Sequence, residues 1–254
     1  MKQSIAFHKS LHYMFPKLKR PKLITFDAFG TLFDLKDSAP ALYSQLVKNH
    51  CGIHVPPKYL ERRFPDVMRS MMRNHPQYGK FTLLNVADHV QEWWFRVIKQ
   101  TFHPIELEPA TISELYTYFG SPESYQVYED VVPLLAAIKK DMIKVAVISN
   151  MDSRFQHIMD GLGLDDFFDK SNTFLSYDML MEKPDPGVFI YARHKMIHGD
   201  DGYCWHVGDE VKKDYIAANK VKGWKGFLID RDNSRKLESD SLVLHDLRDL
   251  NKFY

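Results

Sequence analysis

Residues 23 to 32 read Leu23-Ile24-Thr25-Phe26-Asp27-Ala28-Phe29-Gly30-Thr31-Leu32. A short apolar run that stops at a turn signal is the pattern of a buried strand. An aspartate at the C-terminal end of such a strand lies where open α/β sheets bind ligands. The small Ala28 and the Gly-Thr turn let successive backbone N–H groups face one concavity, which suits an anion such as phosphate. Asp27 is therefore a candidate nucleophile or metal ligand, beside a cradle built from Ala28, Phe29 and Gly30. On its own the decapeptide is equally a strand whose aspartate bonds only the turn that follows. The rest of the chain has to choose.

From Val127 onward, strand and helix patterns alternate. Lys144 to Ile148 reads as a buried strand stopping at Ser149-Asn150, Thr173 to Ser176 as a short one, and Tyr203 to Val207 as one stopping at Gly208-Asp209-Glu210. Gly226 to Ile229 reads as the last. Asp130 is placed to cap a helix over Val132 to Lys140, acid first and base last as the helix dipole prefers. Glu182-Lys183-Pro184-Asp185-Pro186 is a stiff loop feeding a helix over Val188 to Lys195. Alternating elements with short links predict an α/β fold, a doubly wound parallel sheet of five strands.

The stretch between, about residues 36–125, shows helical periodicity and no clear strand. Leu42, Leu46 and Val47 lie on one helix side, Leu60, Phe64, Val67 and Met71 on another. The longest pattern, Leu83 to Phe102, includes Trp93 and Trp94. Aromatic residues on a helix's apolar side are read as packing. His50, His54, His75, His89 and His103 show no metal-ligand spacing. The expected organisation is a basic extension over 1–22, a core over 23–35 and 126–254, and a helical insert over 36–125.

The chain has 254 residues, 34 basic against 33 acidic, and a net charge of +1. That balance gives no field to draw nucleic acid or an anionic membrane surface. The two cysteines, Cys51 and Cys204, are far apart and fit a reducing compartment. No apolar run approaches the ~20 residues of a spanning helix. The first acidic residue is Asp27, so residues 1–22 are acid-free and basic. This fits either a mitochondrial presequence or a plain basic extension. An intracellular location, cytoplasmic or mitochondrial, is expected.

In a parallel sheet the C-terminal strand ends share one edge, so Asp27, Ser149 and Asp209 converge there, within reach of Lys183. A carboxylate nucleophile, a hydroxyl, an ammonium and a second carboxylate suit phosphoryl transfer through an aspartyl-phosphate. Ser149 would bind phosphate oxygens and Lys183 would neutralise charge. Asp27 and Asp209 would hold Mg²⁺. Each residue alone could be a helix cap. Together they point to one site.

The chain resembles the haloacid dehalogenase superfamily. Asp27-Ala28-Phe29-Gly30-Thr31 matches its first motif, Ser149-Asn150 the second, Lys183 before Pro184 the third, and Gly208-Asp209 with Asp214 the fourth. The insert matches the helical cap of subclass I. Trp93-Trp94, Gln100-Thr101-Phe102 and Ile148 to Asp152 resemble the branch called haloacid-dehalogenase-like hydrolase domain-containing 3. The resemblance implies that Asp27, Ser149 and Lys183 are catalytic. It places Ala28, Phe29, Gly30, Ser149, Asn150 and Lys183 against substrate. It gives Mg²⁺ to Asp27, the Phe29 carbonyl, Asp209 and Asp214.

One position departs from the pattern. Phosphatases of the superfamily carry an acid two residues after the nucleophile, and this chain has Phe29, which cannot donate a proton. The superfamily's dehalogenases have an aromatic there, but they need no metal, whereas Gly208-Asp209 with Asp214 is the metal-holding pattern of the phosphatases. Three readings follow: a Mg²⁺-dependent hydrolase of small phosphorylated metabolites with good leaving groups (or a slow phosphatase), a non-catalytic binding or assembly protein, and a 2-haloacid dehalogenase-type hydrolase. Substrate identity and oligomeric state have no signature in the sequence.

Overall fold

Leu23 to Phe26 is buried at every position and forms strand β1, which demands neighbours on both sides. It has them in parallel register: Phe26 lies opposite Val147 of β4 (Lys144–Ser149) and opposite Val207 of β6 (Cys204–Gly208). The computed structural model describes residues 18–199, 202–235 and 242–253. The possible presequence lies almost wholly outside them.

Between β1 and β4 come β2 (Phe33–Leu35), helices α1 (Ala39–Cys51), α2 (Pro57–Asn74), α3 (His89–Phe102) and α4 (Pro109–Phe119), then β3 (Tyr125–Val127) and α5 (Val131–Lys140). After β4 come α6 (Phe155–Gly161), β5 (Thr173–Leu175), α7 (Ser176–Met179) and α8 (Gly187–Met196). A π-helical turn over Val211–Ile216 follows β6 and runs into α9 (Ala217–Asn219). Then come β7 (Trp224–Ile229), β8 (Val243–Leu244) and a C-terminal 3-10 turn over Leu247–Lys252. The sheet order is β5-β4-β1-β6-β7-β8, every pairing parallel. The doubly wound α/β fold is present, with six strands in the sheet among the described residues rather than five. The sixth has only two residues, too short for any periodicity to show.

Two packed layers flank the sheet. Phe26, Phe155, Phe168, Trp205 and Phe227 belong to the core on one face, and Leu23, Ile148, Phe189 and Trp224 to the core on the other. Helices α1 to α4 have their own core around Tyr43, Val47, Leu60, Phe102 and Leu115. The strands that lead into and out of this helical stretch, β2 and β3, pair antiparallel, a ladder that periodicity did not predict. Helix α3 begins at His89, six residues later than predicted, because the Asp88 side chain accepts the Gln91 N–H and caps it. Asp130 stands at the N-cap of α5 but does not bond that helix's amides. Its Oδ2 instead accepts Arg231 Nη1 (2.7 Å) and the Leu247 N–H (2.7 Å), tying the start of α5 to the segment after β7 and to the C-terminal turn.

Candidate active site

With Phe26 level with Val147 and Val207, the next residues along three adjacent strands are Asp27, Ile148-Ser149 and Gly208-Asp209. All leave the same sheet edge, as the parallel topology requires. Lys183 comes from the loop ahead of α8 and is fixed by Asn150. The Asn150 carboxamide accepts the Lys183 N–H (2.8 Å) and donates to the Lys183 carbonyl (2.9 Å). Asn150 therefore positions Lys183 through its backbone, a role the sequence did not distinguish from substrate binding.

Lys183 is 2% exposed, and its Nζ lies 2.8 Å from Asp27 Oδ1 and 2.6 Å from Asp214 Oδ1. Burial lowers a lysine, but two carboxylates outweigh it and hold this ammonium above its ordinary range. Asp214 is spoken for on both oxygens. Oδ1 accepts Lys183 and His206 Nε2 (3.0 Å), and Oδ2 accepts the Glu210 N–H (2.9 Å). Burial alone would raise Asp214, yet Lys183 and His206 keep it below the usual carboxylate range. Asp214 thus orients Lys183 from behind, although its carboxylate also stands in the acidic cluster.

His206 was not anticipated. It is fully buried in the middle of β6, opposite Thr25 of β1, with Nδ1 2.8 Å from the Thr25 hydroxyl. Burial depresses its pKa against the pull of Asp214, which favours the neutral ring. The tautomer that satisfies both contacts has Nε2–H donating to Asp214 and Nδ1 accepting from Thr25. The only sequence signal was a polar residue inside an apolar strand.

The cradle after Asp27 differs from expectation in one respect. The Gly30 N–H donates to the Phe33 carbonyl (2.8 Å) and is not available to an anion. Among the described residues, the Ala28 and Phe29 N–H groups have no backbone acceptor, and that of Ala28 bonds the Asp27 carboxyl. Gly30 matters for space: at φ +75° its backbone disfavours a side chain, and a Cβ would lie 2.7 Å from Asp209 Oδ2. Among the described residues, no protein group bonds the Asp209 carboxylate or the Phe29 carbonyl.

Asp27, Asp209 and Asp214 each offer a carboxylate oxygen within 4.8 Å of the others. Burial and the charges of Asp27, Asp214 and Glu210 push Asp209 up to about 7. A carboxylate crowded by others and bonded by no donor is the environment a hard divalent cation relieves. The donor set is all oxygen and fits Mg²⁺.

Ser149 is buried and lines the same cavity as Asp27 and Lys183, a space of about 620 Å³. Trp93 is packed in the core of α3, as read, but its neighbour is not merely packing. Trp94 lines the cavity, and its Nε1 donates to Asp152 Oδ2 (2.8 Å) on the loop after β4. Asp152 also holds Arg154 through two bonds of 2.9 and 2.8 Å. Tyr78 adds a second link from the helical segment, its hydroxyl donating to the Asn150 carbonyl (2.9 Å). Trp94→Phe removes one bond to a buried charge and should cost about 1.5–3 kcal/mol in denaturant unfolding. Burial would raise Asp152, but Arg154 and Trp94 hold it below its ordinary value of 3.8. A lowered carboxyl contributes stability that is whole above that value and lost as pH falls beneath it. The Trp94→Phe deficit should therefore shrink in acid.

The model of the haloacid dehalogenase-like hydrolase family matches residues 21–222. An uncharacterised Saccharomyces cerevisiae protein, YMR130W, is 32% identical over 241 residues, 89% of this chain and 77% of that protein. The human haloacid dehalogenase-like hydrolase domain-containing protein 3 is 32% identical over 213 residues, 82% of this chain and 81% of its own. A similar solved structure is the HAD-hydrolase YfnB from Bacillus subtilis bound to magnesium. Its TM-score is 0.69 at 17% identity, over 91% of this chain and 97% of that one, a likeness of fold.

Proposed function

Since the chain belongs to the haloacid dehalogenase-like hydrolase family, we propose that it hydrolyses small phosphorylated molecules with good leaving groups, through a covalent intermediate on Asp27. The observation that carries this reading is the Lys183 ammonium, locked between Asp27 and Asp214 at 2.8 and 2.6 Å. Burial raises the Asp27 carboxyl, and the adjacent ammonium opposes that rise and aligns the oxygen for attack. Ser149 and the Ala28 and Phe29 N–H groups receive the phosphoryl oxygens. Asp27, Asp209 and the Phe29 carbonyl would hold Mg²⁺, with Asp214 beside them. When bound, the cation neutralises charge on the phosphoryl group.

Phe29 sets the leaving-group requirement. Its ring is 42% exposed at the cavity wall and offers no proton. A carboxylate or an acidic phenol leaves with its electron pair and needs none, whereas an alkoxide does. We expect phosphate release from acetyl phosphate and 4-nitrophenyl phosphate that stops when Mg²⁺ is chelated. Glycerol phosphate should be turned over slowly. Phe29→Asp should raise turnover of that alkyl ester by about 10²–10⁴-fold, the usual worth of a placed general acid. Turnover indifferent to the chelator would remove the metal from the reading.

A further inference from the structure

Helix α2 carries one broad apolar face that packs through Leu60, Phe64, Met68 and Met71 and continues to Met72. Leu60 and Met71 are buried, at 0% and 2% exposure, in the cores shared with α1, α3 and α4. Phe64, Met68 and Met72 recur at four-residue steps, the spacing of a single stripe along a helix. All three line the cavity that contains Asp27 and Lys183. Met72 is 42% exposed. A helix facing water on that side would ordinarily carry polar residues there. Leu35, Phe119 and Phe29 line the same cavity.

The cavity is thus polar at one end and apolar over much of the rest. At about 620 Å³ it is far larger than a phosphoryl group and lies in the range of pockets that take whole organic ligands. A sugar or polyol phosphate would need hydrogen-bond partners along the wall formed by Phe64, Met68, Met72, Leu35 and Phe119. Those side chains provide none. An alkyl, acyl or aryl group would gain by leaving water there.

We infer that the substrate is an amphiphilic acyl or aryl phosphate, its apolar part lying on the α2 stripe and its phosphoryl group at Asp27. The inference rests on the proposed phosphoryl chemistry and adds its substrate class. In the reaction, an Asp27 carboxylate oxygen bonds to phosphorus. The phosphorus–oxygen bond to the acyl or aryl group breaks, and its electron pair leaves on that oxygen. Water then attacks phosphorus, restoring the Asp27 carboxylate and releasing orthophosphate, which takes up or sheds the water's protons according to pH. For an acyl phosphate the products are a carboxylate and phosphate, and no general acid is consumed.

Two series test this independently. The first is kcat/KM for acetyl, butanoyl and hexanoyl phosphate. The second is calorimetric affinity, in Mg²⁺, for methyl-, butyl- and hexylphosphonate, which needs no turnover. Both should rise about fourfold per methylene, the worth of removing one from water, until the cavity is filled. Met68→Gln or, should that variant fold poorly, Met72→Gln should flatten the slope while leaving the methylphosphonate affinity within about twofold. Rising phosphonate affinity with no turnover would uphold the substrate class and sink the hydrolase reading. Turnover of acetyl phosphate with a flat series would do the reverse. A flat phosphonate series, no phosphonate binding at all, or tighter binding of glycerol phosphate than of hexylphosphonate would overturn the inference.

Discussion

Asp27→Asn is expected to lower phosphate release from acetyl phosphate to near the rate without protein. Where a covalent nucleophile carries the reaction, the loss is on the order of 10⁶-fold. Asparagine has nearly the volume of aspartate, so the strand end and the cavity wall stay in place. What it lacks is an anionic oxygen to bond phosphorus. Lys183 keeps its contact of 2.6 Å with Asp214 and is not left unpaired. A folded but inactive variant is therefore the expected result, checked by phosphate assay beside an unfolding curve. Residual turnover near that of the unaltered chain would mean that Asp27 is only a ligand or a structural group.

Lys183→Met should have the larger effect on stability. The methionine leaves Asp27 and Asp214 buried and facing each other, without the ammonium between them. Removing one member of a buried ion pair costs about 3–5 kcal/mol. For a chain of this size that is a fall in Tm of roughly 6–20 °C. The pH dependence identifies the cause. Without Lys183, both carboxyls should titrate higher in the folded state than in the unfolded one. Stability of the variant should then fall as pH rises through the acidic range, where the folded form holds protons that the unfolded form has lost. The gap to the unaltered chain should be small near pH 4 and widest near neutrality. A gap independent of pH would mean a packing defect instead.

Much of the site was legible because of where its residues stand. Asp27, Ser149 and Asp209 each terminate an apolar strand, and a parallel sheet brings such ends to one edge whatever their separation along the chain. Lys183 was marked by the prolines beyond it. Roles were harder to read than positions. Asp214 was expected among the metal ligands and does stand in the acidic cluster, but only the structure shows that its oxygens also accept Lys183, His206 and the Glu210 amide. Gly30 looked like an amide donor and is instead a place where no side chain fits.

The residues that were missed depend on contacts between elements. His206 becomes intelligible only when β1 and β6 are in register and Thr25 lies opposite it. Trp94 has the spacing of a packing residue along α3, and its bond to Asp152 depends on how that helix approaches the loop after β4. Strand β8 pairs through two residues, below the length at which alternation can be seen. Periodicity reports the environment of one element at a time, whereas these features belong to pairs.

The most direct measurement is to quench the protein during turnover of acetyl phosphate in Mg²⁺, reduce it with borohydride and map the peptides by mass spectrometry. Borohydride converts an aspartyl-phosphate to homoserine and leaves a free aspartate untouched. Homoserine at position 27, absent when Mg²⁺ is chelated or when Asp27→Asn is used, is the expected outcome. An unmodified Asp27 in protein that is releasing phosphate at full rate would contradict a covalent role for this residue.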